Sequence, residues 1–127
     1  MKKTYTAVYS EPRSLEKYSE GKIILYPDEE IVENYTPEDA PDGFEPVTGY
    51  KYTGEETDGG YIRECQDMSN YNDVANAIIR THYTLSEELA LQRHYQNSPE
   101  TYADEWDAYS QFADSSVAKA KAWLGIE

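Results

Sequence analysis

SPETYADEWDAYSQFADSSVAKAKAWLG, residues 98–125, reads as one long helix and decides how the rest of the chain is read. Ser98 offers a capping hydroxyl. Pro99 takes the first helical position, where its missing N–H costs nothing, and Glu100 follows. Glu100, Asp104, Glu105 and Asp107 cluster early, Lys119 and Lys121 come late, and Gly125 ends the pattern, so charges complement the helix dipole at both ends. Between the caps, Tyr102, Trp106, Tyr109, Ala113, Ser116, Ala120 and Trp123 recur at alternating four- and three-residue steps. That spacing lays an aromatic-rich stripe along one face, which must dock on the same chain or on a partner. At about 1.5 Å per residue the helix spans about 35–40 Å, whereas a chain of this size has a radius of gyration of about 14 Å. The expectation is that the helix projects, is covered by a partner, or bends at Asp114-Ser115-Ser116, its weakest helix-forming stretch.

Upstream of this helix the periodicity stays helical back to Ser69. Thr84-Leu85-Ser86-Glu87 is a Thr-x-x-Glu capping box that starts a second helix, with Leu85, Leu89 and Gln92 facing inward, ending before Pro99. Ser69 or Asn70 caps another, whose inner face is Tyr71, Val74, Ala75, Ile78 and Ile79.

Before Ser69 the period shifts to two and the punctuation becomes dense. Residues 3–9 alternate as a strand, and Lys22-Ile23-Ile24-Leu25-Tyr26 is an apolar strand between Gly21 and Pro27. Residues 12–20 are polar, with one helical turn around Leu15 and Tyr18. Residues 28–43 are acidic, hold Pro37 and Pro41, and read as a loop with a short strand at Ile31-Val32. Tyr50 and Tyr52 sit on a strand over residues 44–53. It turns at Asp58-Gly59 and returns as Tyr61-Ile62-Arg63-Glu64-Cys65, a hairpin. The expected fold is α+β: an N-terminal antiparallel sheet of three to five strands, including that hairpin, packed against two or three C-terminal helices, the last one long. Residues 1–127 are read as a single domain, strand-rich over 1–69 and helical over 70–127.

Composition narrows the function. The chain carries 25 acidic and 11 basic side chains, a net charge of −14 spread along its length: −9 over residues 1–70 and −5 over residues 71–127. No basic stripe exists to meet phosphates, so direct nucleic-acid binding and anionic membranes are not expected. Thirteen tyrosines stand against two phenylalanines. They are either half-exposed sheet residues or a tyrosine-lined binding face.

Met1-Lys2-Lys3 leads into Thr4-Tyr5-Thr6 and not into an apolar run, so no secretory signal is read and no stretch is long enough to span a bilayer. The expected location is the cytoplasm, or incorporation into a virion. The sequon Asn34-Tyr35-Thr36 is then a coincidence. Cys65 is the sole cysteine and, with no basic neighbour to lower its pKa, is read as a small buried apolar side chain.

Catalytic chemistry is not legible. His82 and His94 lack a second ligand at a helical offset and read as surface or capping residues. The acid pairs fall in loops, and Glu55 to Gly60 lacks the alternating ligands of a calcium loop. There is no phosphate cradle, nucleophile elbow or zinc pattern. The chain is read as not an enzyme, with no cofactor and no metal. A hydrolase built on loop carboxylates is the reading that defined binding of a divalent ion would raise.

Three segments carry a resemblance: Tyr50-Lys51-Tyr52-Thr53-Gly54 with Asp58-Gly59-Gly60 and Ile62-x-Glu64; AIIRTHYTLSEELALQR over residues 77–93; and Asp104-Glu105-Trp106-Asp107-Ala108-Tyr109. Together they resemble small accessory proteins encoded by prophages of gut-type bacteria, near tail or other late structural genes. The Glu-Trp-x-x-Tyr pattern is also similar to the terminal helix of tail-fibre assembly proteins. The resemblance covers residues 44–124 and transfers no catalytic residue. It implies a protein–protein interaction module, an accessory or assembly protein for a phage structural component. Tyr102, Trp106, Tyr109 and Trp123 would be its partner-binding residues, unless they are core packing. The long amphipathic helix is also compatible with a homodimer. The other reading is an acidic mimic of nucleic acid that inhibits a host DNA-binding protein.

Overall fold

A computed structural model describes residues 3–126. Six strands precede three helices: β1 (Tyr5–Tyr9), β2 (Leu15–Ser19), β3 (Lys22–Leu25), β4 (Glu29–Tyr35), β5 (Val47–Gly54), β6 (Tyr61–Glu64), α1 (Tyr71–Ile79), α2 (Leu85–Asn97) and α3 (Pro99–Leu124). The fold is α+β, with two three-stranded antiparallel sheets ordered β1-β5-β4 and β2-β3-β6. The chain divides into two compact units, one of Met1–Tyr18 and Ile24–Ile62, the other of Ser19–Ile23 and Arg63–Glu127.

In the first unit β5 lies between β1 and β4. Ala7 and Glu29 both stand opposite Tyr52, and Tyr9 and Ile31 both stand opposite Tyr50. Opposed residues share a face, so one face gathers Tyr5, Tyr9, Tyr50 and Tyr52 with Glu29 and Ile31. Tyr52 is fully buried there. On the other face Tyr35 lies over Gly49, where a Cβ would stand 2.8 Å from that of Tyr35. Glycine at 49 is what lets the ring settle on the strand.

Two strands depart from the sequence expectation. The short strand expected at Ile31-Val32 within the acidic segment is longer, the seven-residue β4, and the remainder of residues 28–43 stays outside it. Pairing with β5 overrides the poor strand propensity of its glutamates, and a register break between Val32 and Tyr35, with Asn34 at φ 57°, bends it. The segment given one helical turn around Leu15 is β2, joined to β3 through Glu20 and Gly21, the latter at φ 77°. The hairpin therefore forms at β2–β3, whereas β5 and β6 lie in different sheets. The turn between them exists, with Glu56 N–H donating to Gly60 O at 2.9 Å. But β5 already has a neighbour on each side, so it has no free edge for β6.

The second unit is built on α3. Tyr71 at the start of α1 lies beneath Lys121 near the end of α3, with the ammonium 4.8 Å from the ring centre. His82, just beyond α1, meets Phe112 in the middle of α3. His94 near the end of α2 stacks on Tyr102 near the start of α3. Thus α1 and α2 follow one another along α3, both antiparallel to it. The 26 residues of α3, about 39 Å, are used in spanning two shorter helices. The helix runs unbroken through Asp114-Ser115-Ser116, where both serine hydroxyls donate to Phe112 O at 2.9 and 2.8 Å.

Caps fix the three helices. Asn70 accepts from the N–H groups of Asn72 and Asp73, and Thr84 and Glu87 exchange both bonds of the capping box. Ser98 sits at the N-cap of α3 without a side-chain capping bond, because it also ends α2, donating its N–H to His94 O. Gly125 closes α3 in the left-handed conformation.

Inside this unit Ile79, Leu91 and Tyr109 form a buried cluster, with Tyr83, Trp106, Phe112 and Ala113 packed on it. The phase of α2 differs from expectation. Leu85 and Leu89 are 55% and 52% exposed, while Leu91 is buried and Glu88 faces inward. Leu91→Ala should therefore cost about 2–5 kcal/mol in urea unfolding, and Leu89→Ala no more than about 0.5 kcal/mol. Equal costs would return α2 to the phase its leucines suggest.

Candidate functional site

Where α1 gives way to α2, a polar network is closed over by aromatic rings. Arg80 Nη2 donates to Glu88 Oε1 at 2.8 Å, and the Tyr109 hydroxyl donates to Glu88 Oε2. Arg80 also donates to Tyr83 O at 3.1 Å, and its own carbonyl accepts from Arg63 Nε at 3.0 Å. Glu88 enters the helix interface because both its oxygens are partnered there, one by a cation and one by a phenol. Burial, helped by the Glu88 carboxylate, pushes the Tyr109 hydroxyl up to about 12. The phenol is a fixed hydrogen-bond donor at neutral pH.

The aromatic stripe expected for partner binding surrounds this network. Tyr109 is 7% exposed and meets Tyr83 edge-on, with ring centres 5.1 Å apart. Trp106 stacks on Tyr95 at 4.9 Å and 9°, and Tyr102 on His94 at 4.9 Å. Tyr102, Trp106 and Trp123 are half-buried. The structure brings Tyr102, Trp106 and Tyr109 together along α2, and places Trp123 four turns further along α3.

The first unit holds a second network that the sequence did not announce. Tyr26 hydroxyl donates to Asp58 Oδ2 at 2.7 Å, Tyr52 hydroxyl to Glu29 Oε1 at 2.9 Å, and Tyr61 hydroxyl to Asp28 Oδ2 at 2.7 Å. Tyr9 hydroxyl donates to the Asp58 carbonyl at 2.7 Å. Asp58 also accepts from Gly60 N–H, so the 55–60 turn is tied to the tyrosines. Burial raises the Tyr26 hydroxyl far above its usual range and the Tyr52 hydroxyl to about 12. Arg13 threads this cluster. Its guanidinium carbon lies 4.5 Å from the Tyr9 ring centre and 4.8 Å from that of Tyr26, and its backbone N–H donates to Tyr52 hydroxyl at 2.6 Å. The network was invisible because its partners lie 23 to 49 residues apart in the chain. The one available signal was the excess of tyrosine over phenylalanine.

Cys65 is buried, and burial raises its thiol pKa, which opposes nucleophilic use. Among the described residues no group of three His, Cys, Asp or Glu side chains could hold a metal ion, and no helix is long and apolar enough to cross a membrane.

Both networks predict one pH response. Tyr52 and Tyr109 lose their protons near 10.0 in the unfolded chain and near about 12 when folded, so the folded state holds these protons more tightly. Their contribution is complete below pH 10 and is lost as pH rises from 10 toward 12. Urea midpoints, corrected for Tyr109→Phe, should show this fall reduced in the variant. The same substitution should cost about 1–3 kcal/mol at pH 7 by leaving Glu88 short of a donor. A cost near zero would make the phenol a spectator.

The chain matches no protein-family model, no curated protein and no solved structure.

Proposed function

We propose that the chain is a non-catalytic protein–protein interaction module, an accessory or assembly protein for a phage structural component. The observation that carries the interaction reading is the pair Leu85 and Leu89. One helical turn apart on α2, both are more than half exposed, while Leu91 of the same helix is buried. Leucines left open on a helix whose cap, phase and core are otherwise well defined supply an apolar contact for another protein. The half-buried Tyr102, Trp106 and Trp123 can add to such a contact, and Tyr109 is committed to Glu88. The phage setting is supported by the resemblance carried by residues 50–64, 77–93 and 104–109.

A specific observation favours a second reading, mimicry of nucleic acid. Glu100, Asp104, Glu105, Asp107 and Asp114 are all exposed on α3, and no basic residue occurs in that helix before Lys119. Such a surface would suit a basic groove and would release it as salt rises.

Tagged protein expressed in a host carrying a prophage that encodes it should retain a tail or other virion structural protein at moderate salt. The double substitution Leu85→Glu/Leu89→Glu should abolish that recovery while leaving the circular dichroism spectrum unchanged. Recovery of a host DNA-binding protein instead, eluting steeply with salt and indifferent to the two leucines, would replace this reading with mimicry.

A further inference from the structure

Arg13 is anomalous in this molecule. Arg80 meets a carboxylate at 2.8 Å, as expected in a chain with 25 acids, whereas Arg13 Nη2 reaches Glu16 only at 3.5 Å. That glutamate side chain is 64% exposed, and among the described residues it is the one carboxylate within 4 Å of the Arg13 guanidinium. Asp58 and Glu29, the acids of the adjoining cluster, are engaged by tyrosine hydroxyls. Arg13 Nε is buried with no hydrogen-bond partner among the described residues. Its remaining polar contacts are the Tyr9 side chain and the distant, exposed Glu16, so the guanidinium has no close carboxylate and keeps donor capacity for one.

The guanidinium is nevertheless held in place. Two tyrosine rings clamp it, and the bond from its backbone N–H to Tyr52 hydroxyl fixes the chain beneath it. Its side chain is 31% exposed, and an open cleft of about 400 Å³ lies along residues 9–16, with Ser10 and Ser14 among its lining residues. A planar fork of donors, pre-positioned at the wall of a cleft, matches an oxyanion. Glu11 and Glu16 also line the cleft. Two negative charges nearby disfavour a phosphate dianion more than a singly charged carboxylate.

We propose that the Arg13 cleft binds a single carboxylate, supplied by a partner protein as a chain terminus or an acidic side chain. Arg13 grips it with its fork, Ser10 and Ser14 offer hydroxyls, and Glu16 is the weak internal competitor that the incoming carboxylate displaces. Only the source of the carboxylate rests on the reading of the chain as a protein-binding module.

The test is a titration of the full-length, isotope-labelled protein with N-acetyl-diglycine as the free acid, with its carboxamide, and with inorganic phosphate, followed by amide NMR shifts. The free acid should give saturable shifts confined to residues 9–16, and the carboxamide none. Arg13→Lys, which keeps charge but loses the fork, should weaken affinity about tenfold, and Glu16→Gln should tighten it. A purely structural arginine would not respond to Glu16→Gln. Equal response to acid and carboxamide, absence of saturable shifts, tighter binding of phosphate, or an unchanged affinity in Glu16→Gln would each overturn the assignment. Should Arg13→Lys fail to fold, the wild-type and Glu16→Gln titrations decide alone. A cleft that binds the free acid in a chain that captures no protein would sink the interaction reading and leave the cleft standing.

Discussion

With more than two acids for every base, this chain cannot give every carboxylate a cation, and tyrosine phenols serve several of them. Asp28, Glu29, Asp58 and Glu88 each accept a hydrogen bond from a tyrosine hydroxyl. A phenol satisfies a carboxylate oxygen without neutralising it, so the surface keeps its full negative charge while the interior keeps its hydrogen bonds. The same side chain fills apolar volume with its ring, and the rings of Tyr9, Tyr26 and Tyr52 pack on one another while their hydroxyls serve the acids. Phenylalanine would supply the packing and strand the carboxylates. The tyrosine excess is thus a structural answer to the charge, and it places the sheet unit and the helical unit under one rule.

The helical unit adds a geometric constraint. Because α1 and α2 lie in succession along α3, the break between them falls opposite the middle of the long helix. That is where backbone groups at the end of α1 need partners. Arg80 and Glu88 flank the break, and Tyr109 meets them from α3. The junction is therefore held by one ion pair and one phenol, with Tyr83 and Phe112 as the surrounding apolar wall.

What could be read from the sequence follows the range of the interaction. Asn70, Thr84 with Glu87, Pro99 and Gly125 are local signals, and each marks a helix end as expected. The stripe of Tyr102, Trp106 and Tyr109 is likewise a matter of spacing within one helix. The phase of α2 was not legible, because Leu85 and Leu89 present a core pattern while the inward residue is Glu88, whose partners lie 8 and 21 residues away. The full length of β4 was hidden for the same reason: Ile31-Val32 mark its centre, but Glu29, Glu30 and Glu33 argue for a loop until β5 is present to pair with the strand. Most of the Arg13 cluster was out of local range: Tyr9 and Glu16 lie near it in the chain, but its ring partner Tyr26 and its hydroxyl partner Tyr52 come from separate segments.

The stacking of Tyr95 on Trp106 has an optical consequence. Both tryptophans, Trp106 and Trp123, belong to the helical unit, and the sheet unit contains none. Tryptophan emission is thus a private channel of the helices, dimmed or brightened as α2 lifts from α3, and blind to the sheet. The sheet must be followed through tyrosine absorbance, where Tyr9, Tyr26 and Tyr52 share a cluster whose spectrum changes when their hydroxyls meet water. Tryptophan emission thus reports the helical unit alone, whereas tyrosine absorbance sums eight residues of the sheet unit and five of the helical unit, so the part of an absorbance melt that emission does not follow belongs to the sheet.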